Sequence, residues 1–154
     1  MMSMKWIRYA STAVIILYSL CVLYLMLFGF GRSFINSEEL RYNLIPLSTI
    51  KLFLQVDNFN FKIWFMNIVG NIGVFIPFGV LIPIIIRVRL WKFILMFITS
   101  ITIVELLQML SRRGSFDIDD IILNTLGVLI GYGIYRCLLL IVRKQKPQGQ
   151  AIHR

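Results

Sequence analysis

Four runs of apolar residues, at 9–30, 63–86, 91–110 and 118–142, divide the chain. Each has the roughly 20 residues that a helix needs to cross about 30 Å of hydrocarbon at 1.5 Å per residue. Strands are excluded at these lengths, because an open strand leaves its backbone polar groups unsatisfied in lipid. The pattern predicts an all-α integral membrane protein with four transmembrane helices. The first run exceeds the apolar core of about 7–15 residues found in a signal peptide and lacks a small-residue cleavage site, so it reads as a retained helix. One connection is long, 31–62, and it contains RYNLIPLSTIKLFLQV. Leu44, Leu47, Ile50, Phe53, Leu54 and Val56 recur there among polar residues, which predicts a short interfacial or re-entrant element in the first outer loop.

Composition sharpens this picture. The 154 residues are 58% hydrophobic and 15% charged, far from the balance of a soluble domain. The net charge of +9 has no aromatic-interleaved basic stripe on a soluble domain, which excludes nucleic acid as a partner and leaves the lipid bilayer. Lys5, Arg8, Arg87, Arg89, Lys92, Arg143, Lys144, Lys146 and Arg154 fall on one side of the four runs; Arg32, Arg41, Lys51, Lys62, Arg112 and Arg113 fall on the other. The first set is larger and sits in short segments free of acids, so the positive-inside rule places both termini in the cytoplasm. The chain divides into a cytoplasmic N-terminus (1–8), a four-helix membrane domain (9–142) and a basic cytoplasmic tail (143–154). Glu38, Glu39, Asp57, Asp117, Asp119 and Asp120 all fall outside, and Glu105 is the one acid within a span.

Cys21 and Cys137 lie inside apolar runs and read as small buried hydrophobes. The one histidine stands at 153, so no Cys/His metal set can be drawn, and no cofactor is expected.

Chemistry gathers at the outer ends of three runs. Asn67 and Asn71, four apart, share a face of the second helix, and Glu105 and Gln108, three apart, share a face of the third. The fourth helix opens with Asp117, Asp120 and Asn124 on one stripe, which continues through Gly127 and Gly131. Asp119 lies off that stripe and is expected to be solvated. Each piece has a plain reading. Asp117 and Asp120 suit an N-cap and a first-turn acid, and the asparagines suit interhelical hydrogen bonds worth about 0.6 kcal/mol each. An acid within a span is costly and ordinarily pairs, protonates or functions, which makes Glu105 harder to explain as scaffold. In the second helix Pro77 and Pro83 each remove an N–H and free a carbonyl, at Gly73 and Gly79. A kink or local opening below the polar residues is therefore expected. The Gly127/Gly131 spacing permits a homodimer and equally permits close packing inside the bundle.

Taken in order, NLIP (Asn43 to Pro46), NIGVFIPFG (Asn71 to Gly79), Glu105 with Gln108, and RRGSFDIDDIILNTLGVLIGY (Arg112 to Tyr132) resemble the VanZ-like family of small bacterial membrane proteins. The resemblance covers about 41–132. It carries the family's characteristic positions onto Asn43, Pro46, Asn71, Pro77, Gly79, Glu105, Gln108, Arg113, Asp117, Asp120, Asn124 and Gly127. It implies a multi-pass protein of the bacterial cytoplasmic membrane and, through one member of the family, low-level resistance to the lipid-tailed glycopeptide antibiotic teicoplanin.

Two functions follow. In the first, Asn43, Asn67, Asn71, Glu105, Gln108, Arg113, Asp117, Asp120 and Asn124 line an outer-leaflet pocket for a lipoglycopeptide or a lipid-linked cell-wall precursor. Pro46, Pro77, Gly79, Gly127 and Gly131 then serve structure. In the second, the protein is a membrane-embedded enzyme acting on a lipid-linked cell-wall intermediate, with Glu105 and Asp120 as acid and base. Oxygen ligands in the same cluster could hold Mg²⁺ or Ca²⁺, a lesser reading.

Overall fold

The computed structural model describes residues 4–29, 39–54 and 61–144. The expectations that touch Glu38, Val56, Asp57 and the tail beyond 144 lie outside these residues. Element order is α1 (Met4–Phe28), β1 (Tyr42–Asn43), α2 (Ser48–Leu54), α3 (Phe61–Trp64), a π-helical turn (Phe65–Val69), α4 (Gly70–Ile85), α5 (Leu90–Leu110), β2 (Phe116–Asp117) and α6 (Ile118–Lys144). Four segments are long and apolar enough to span a membrane: Lys5–Phe28, Phe65–Ile85, Leu90–Leu110 and Ile118–Val142. Their outer surfaces carry large apolar side chains, among them Leu17, Leu20, Leu95, Met96, Leu138 and Ile141. In water such a surface would be an aggregation hazard; against hydrocarbon it is at home. The chain is a multi-pass membrane protein. Cys21 and Cys137 are exposed on this lipid-facing surface and not buried as expected, because both fall on the outward side of their helices.

α4 and α6 form the most extensive contact between elements. The reason is the absence of side chains. A Cβ at Gly127 would collide with the Ile72 carbonyl, one at Gly131 with the Ile76 carbonyl, and one at Gly79 with the Val128 carbonyl. Glycine on both sides lets the two backbones touch, with Val128 fully buried in the seam. The small-residue stripe thus packs inside the bundle, one of the two uses its spacing allowed.

α1 and α5 pack more loosely around α4. Phe75, Phe93 and Ile101 with Val22 form the apolar core there, and Phe75 meets Phe97 edge-on at 5.4 Å. Tyr18 of α1 donates its hydroxyl to the Val74 carbonyl of α4 at 2.8 Å, beside the Gly73 carbonyl that Pro77 leaves without its helical partner.

Pro77 and Pro83 both lie within α4, which is assigned as continuous helix from Gly70 to Ile85. The departure from α geometry falls earlier, in the π turn Phe65–Val69, closed by the Gly70 N–H donating to the Phe65 carbonyl. The opening expected below the polar residues is therefore found above them, with Asn67 inside it. One extra residue in a turn is a common way for a helix to re-aim its side chains without a break.

Candidate functional site

The site is the end of the bundle where α1 and α5 finish and α6 begins. α5 ends in a Schellman motif: the Arg112 N–H donates to the Met109 carbonyl and the Arg113 N–H to the Gln108 carbonyl, each at 3.0 Å. Glycine normally takes the left-handed position of this motif, but here Arg112 does, at φ 56°. The chain then runs into β2, which pairs in parallel with β1, Tyr42 opposite Phe116 and Asn43 opposite Asp117. The Phe116 N–H also donates to the Arg41 carbonyl at 3.1 Å. This two-residue ladder fastens the connection between α1 and α2 to the mouth of α6.

Asp117 caps α6. Its Oδ1 accepts the Asp119 N–H at 2.9 Å, the N-cap geometry, and also the Asn43 amide at 3.2 Å. Its Oδ2 accepts the Thr49 hydroxyl at 2.6 Å. Asn43 further donates to Ser48 Oγ at 2.7 Å and Thr49 Oγ1 at 2.9 Å, and its Oδ1 accepts the Ile45 N–H at 3.1 Å. Both oxygens of Asp117 are therefore turned to donors of the chain itself.

Asp119 is the main correction to the sequence reading. It is fully buried, not solvated. Its Oδ1 accepts the Leu47 N–H at 2.5 Å, and its Oδ2 accepts the N–H of Thr49 at 2.8 Å and of Ile50 at 3.2 Å. These are the unsatisfied donors at the start of α2, where Leu47 has no side-chain oxygen with which to cap them. The cap comes instead from α6, with the carboxylate charge against the positive helix end. Pro46 stands in the turn that leads in, where the Ser48 N–H donates to the Ile45 carbonyl at 3.3 Å and Leu47 takes φ 64°. Proline second and a positive φ third is the type II pattern, which favours glycine where Leu47 stands.

Gln108 plays the same part at α1. Its side-chain amide donates to the Met26 carbonyl at 2.8 Å, one of the carbonyls that the end of α1 leaves without a helical partner. Arg113 reaches the same place, its guanidinium 4.6 Å from the centre of the Phe28 ring. Asn71 of α4 donates to Asp120 Oδ1 at 2.6 Å, joining α4 to the first turn of α6.

Glu105, Gln108, Asp119 and Asn124 are almost wholly buried, and Asp117 is 8% exposed. Asn124 Oδ1 has no hydrogen-bond partner among the described residues. Asn67 is half-buried in the π turn, and Asp120 and Asn43 are half-buried at the rim. Among the described residues no group of three or more His, Cys, Asp and Glu side chains could hold a metal ion. The polar residues of α4, α5 and α6 do converge on one end of the bundle, as their spacing predicts. What they enclose is a hydrogen-bonded plug closed over by residues 41–54.

Above the plug the chain shows apolar surface. Leu40, Tyr42, Leu44, Ile45, Leu47 and Leu52 are all exposed, although the backbone that carries them is pinned from below. An apolar cavity, open on one side, lies elsewhere, between α1, α4 and α5.

A family model described as VanZ/LLP1 matches residues 15–141, which contain every residue of the site. Protein VanZ of Enterococcus faecium is 28% identical over 130 residues, spanning 81% of this chain and 73% of that protein. No solved structure matches.

Proposed function

Because this chain belongs to the VanZ/LLP1 family, we propose that it acts in the bacterial cytoplasmic membrane to lower susceptibility to teicoplanin-type glycopeptides. The observation that carries this reading is the pairing of a buried polar plug with an exposed apolar ridge. Asp117, Asp119 and Asn43 hold residues 41–50 rigidly at one end of the bundle. That segment then offers Tyr42, Leu44, Ile45 and Leu47 to its surroundings. We take this end as the outer one, in keeping with the excess of basic residues on the opposite side of the four runs. A pre-ordered apolar ridge at the outer interface suits a ligand whose own lipid tail partitions there, whether a lipoglycopeptide or a lipid-linked cell-wall precursor. Ordering the ridge in advance removes an entropy cost from binding.

The buried carboxylates serve this reading as fastenings and not as ligand groups. The near-complete burial of Glu105 also favours recognition at the surface over acid–base chemistry at that carboxyl.

The test is susceptibility of a sensitive Gram-positive host that makes matched membrane levels of each variant. Wild type is expected to protect against teicoplanin and not vancomycin. Asp119→Ala, which frees the ridge, and Tyr42→Ser with Ile45→Ser, which removes its apolar surface, are expected to abolish protection. Protection undiminished in both variants would overturn the proposal, as would a wild type that protects against neither drug. Glu105→Gln and Asp120→Asn separate the enzyme reading. Loss confined to those two, with the ridge variants active, would favour chemistry at the carboxylates.

A further inference from the structure

Away from the plug, the cavity between α1, α4 and α5 ends at lining residues that stand beside three arginines in the chain. Its volume is about 540 Å³, within the range of roughly 300–1,000 Å³ typical of ligand pockets. Its walls include Ile15, Val22, Phe75, Phe93 and Ile101. The hydroxyls that line it are spent on their own helices: Thr12 donates to the Arg8 carbonyl, Ser19 to Ile15 and Ser100 to Met96. The cavity therefore has no polar hook along its length. From Thr12 to Met26 it follows α1 for about 20 Å, which exceeds the roughly 15 Å hydrocarbon depth of one leaflet.

The cations stand where the cavity ends. Arg8 lies one turn before Thr12, on the face of α1 that continues through Ile15 and Ser19. It is half-buried, and its Nε is buried with no hydrogen-bond partner among the described residues. Ile85 and Ile86 line the cavity and Arg87 follows them directly. Arg89 stands one turn before Phe93, another lining residue, whose N–H donates to the Arg89 carbonyl at 3.1 Å. Arg87, Arg89 and Lys92 are exposed, and no acid stands in the segments that carry them.

We infer that the cavity is a site for one anionic phospholipid, with an acyl chain between α1, α4 and α5 and the phosphate among Arg8, Arg87 and Arg89. The apolar walls take hydrocarbon that the surrounding bilayer supplies, and the guanidinium groups select the charge. Arginine suits this role because its planar fork meets phosphate with two parallel hydrogen bonds. The site lies apart from the ridge and does not depend on the function proposed for it.

The test is native mass spectrometry of the full chain in detergent, offered phosphatidylglycerol or phosphatidylcholine with identical acyl chains. Wild type is expected to retain phosphatidylglycerol preferentially, with the preference falling about fivefold for each cation removed and falling again at high salt. Arg8→Gln with Arg87→Gln and Arg89→Gln should bring the two lipids level. Ser100→Phe, which adds bulk to the cavity wall, should reduce retention of both. Should Arg8→Gln fail to fold, Arg87→Gln and Arg89→Gln, at exposed positions, decide alone. Equal retention of the two lipids by wild type overturns the inference, as does a preference that survives loss of the arginines. Full retention by a folded Ser100→Phe would show that the lipid does not use the cavity.

Discussion

The two faces of α4 are packed by opposite means. Toward α6 it presents Gly79 and bare backbone, and the partner answers with Gly127 and Gly131, so carbonyls meet α-carbons with no side chain between. Toward α1 and α5 it presents Phe75 and Phe78, and the large rings leave a cavity of about 540 Å³. Both faces are apolar and both lie in the membrane, so hydrophobicity cannot account for the difference. In lipid the gain from bringing helices together comes from packing itself, and small residues pack where large ones leave gaps. Rigidity sits where side chains are missing.

The largest expected effect comes from breaking the tight face. Gly131→Val would drive its side chain into the Ile76 carbonyl and the Gly79 α-carbon, at a cost of about 3 kcal/mol or more. Thermal unfolding in detergent should show the loss, and a cysteine pair placed across the α4–α6 seam should cross-link less efficiently. Next comes Asp119→Ala, which leaves the Leu47, Thr49 and Ile50 N–H groups without their acceptor and should cost about 3 kcal/mol. Hydrogen exchange at those three amides should accelerate while the α4–α6 seam stays protected. Asp119→Asn, which keeps one oxygen, should fall between the two. The loose face should tolerate more: Ser100→Leu, which points extra methyl groups at an existing gap, should change stability by less than about 1 kcal/mol. A large loss there would show that the gap closes in the membrane and would collapse the contrast. The one expected gain belongs to Arg112→Gly, which relieves a left-handed arginine in the Schellman motif and should stabilise by up to about 1 kcal/mol, read as a higher unfolding temperature.

Much of this was legible in the chain. Four runs of the right length fixed four helices, whereas Asp117, expected on one stripe with Asp120 and Asn124, lies in β2 and turns to Asn43 and Thr49 while Asp120 turns to Asn71. The same helical spacing misplaced Asp119. A helical wheel reports which residues share a face of their own helix, but Asp119 sits in the first turn and faces a segment about seventy positions earlier. Its partners are backbone N–H groups, which every residue except proline possesses, so no side-chain complement marks them in the sequence. A hint existed in the turn itself: Leu47 opens a helix with no oxygen to cap it, and a buried helix start must find its acceptor somewhere. The cavity was not legible, because the phenylalanines that border it leave a gap only at the helix spacing that the folded bundle sets. The π turn was likewise hidden, while the prolines that pointed to distortion stand inside regular helix.

The cap on α2 also orders events in time. Leu47 and Asp119 are 72 positions apart, and two membrane-spanning segments, Phe65–Ile85 and Leu90–Leu110, lie between Leu47 and α6. A ribosome makes the capped segment early and its carboxylate late, so residues 47–50 must wait through the synthesis of both spans with their N–H groups turned to water or headgroups. The start of α2 can lock only after α6 has joined the bundle and brought Asp119 to it, so the order of this early segment depends on the last helix made.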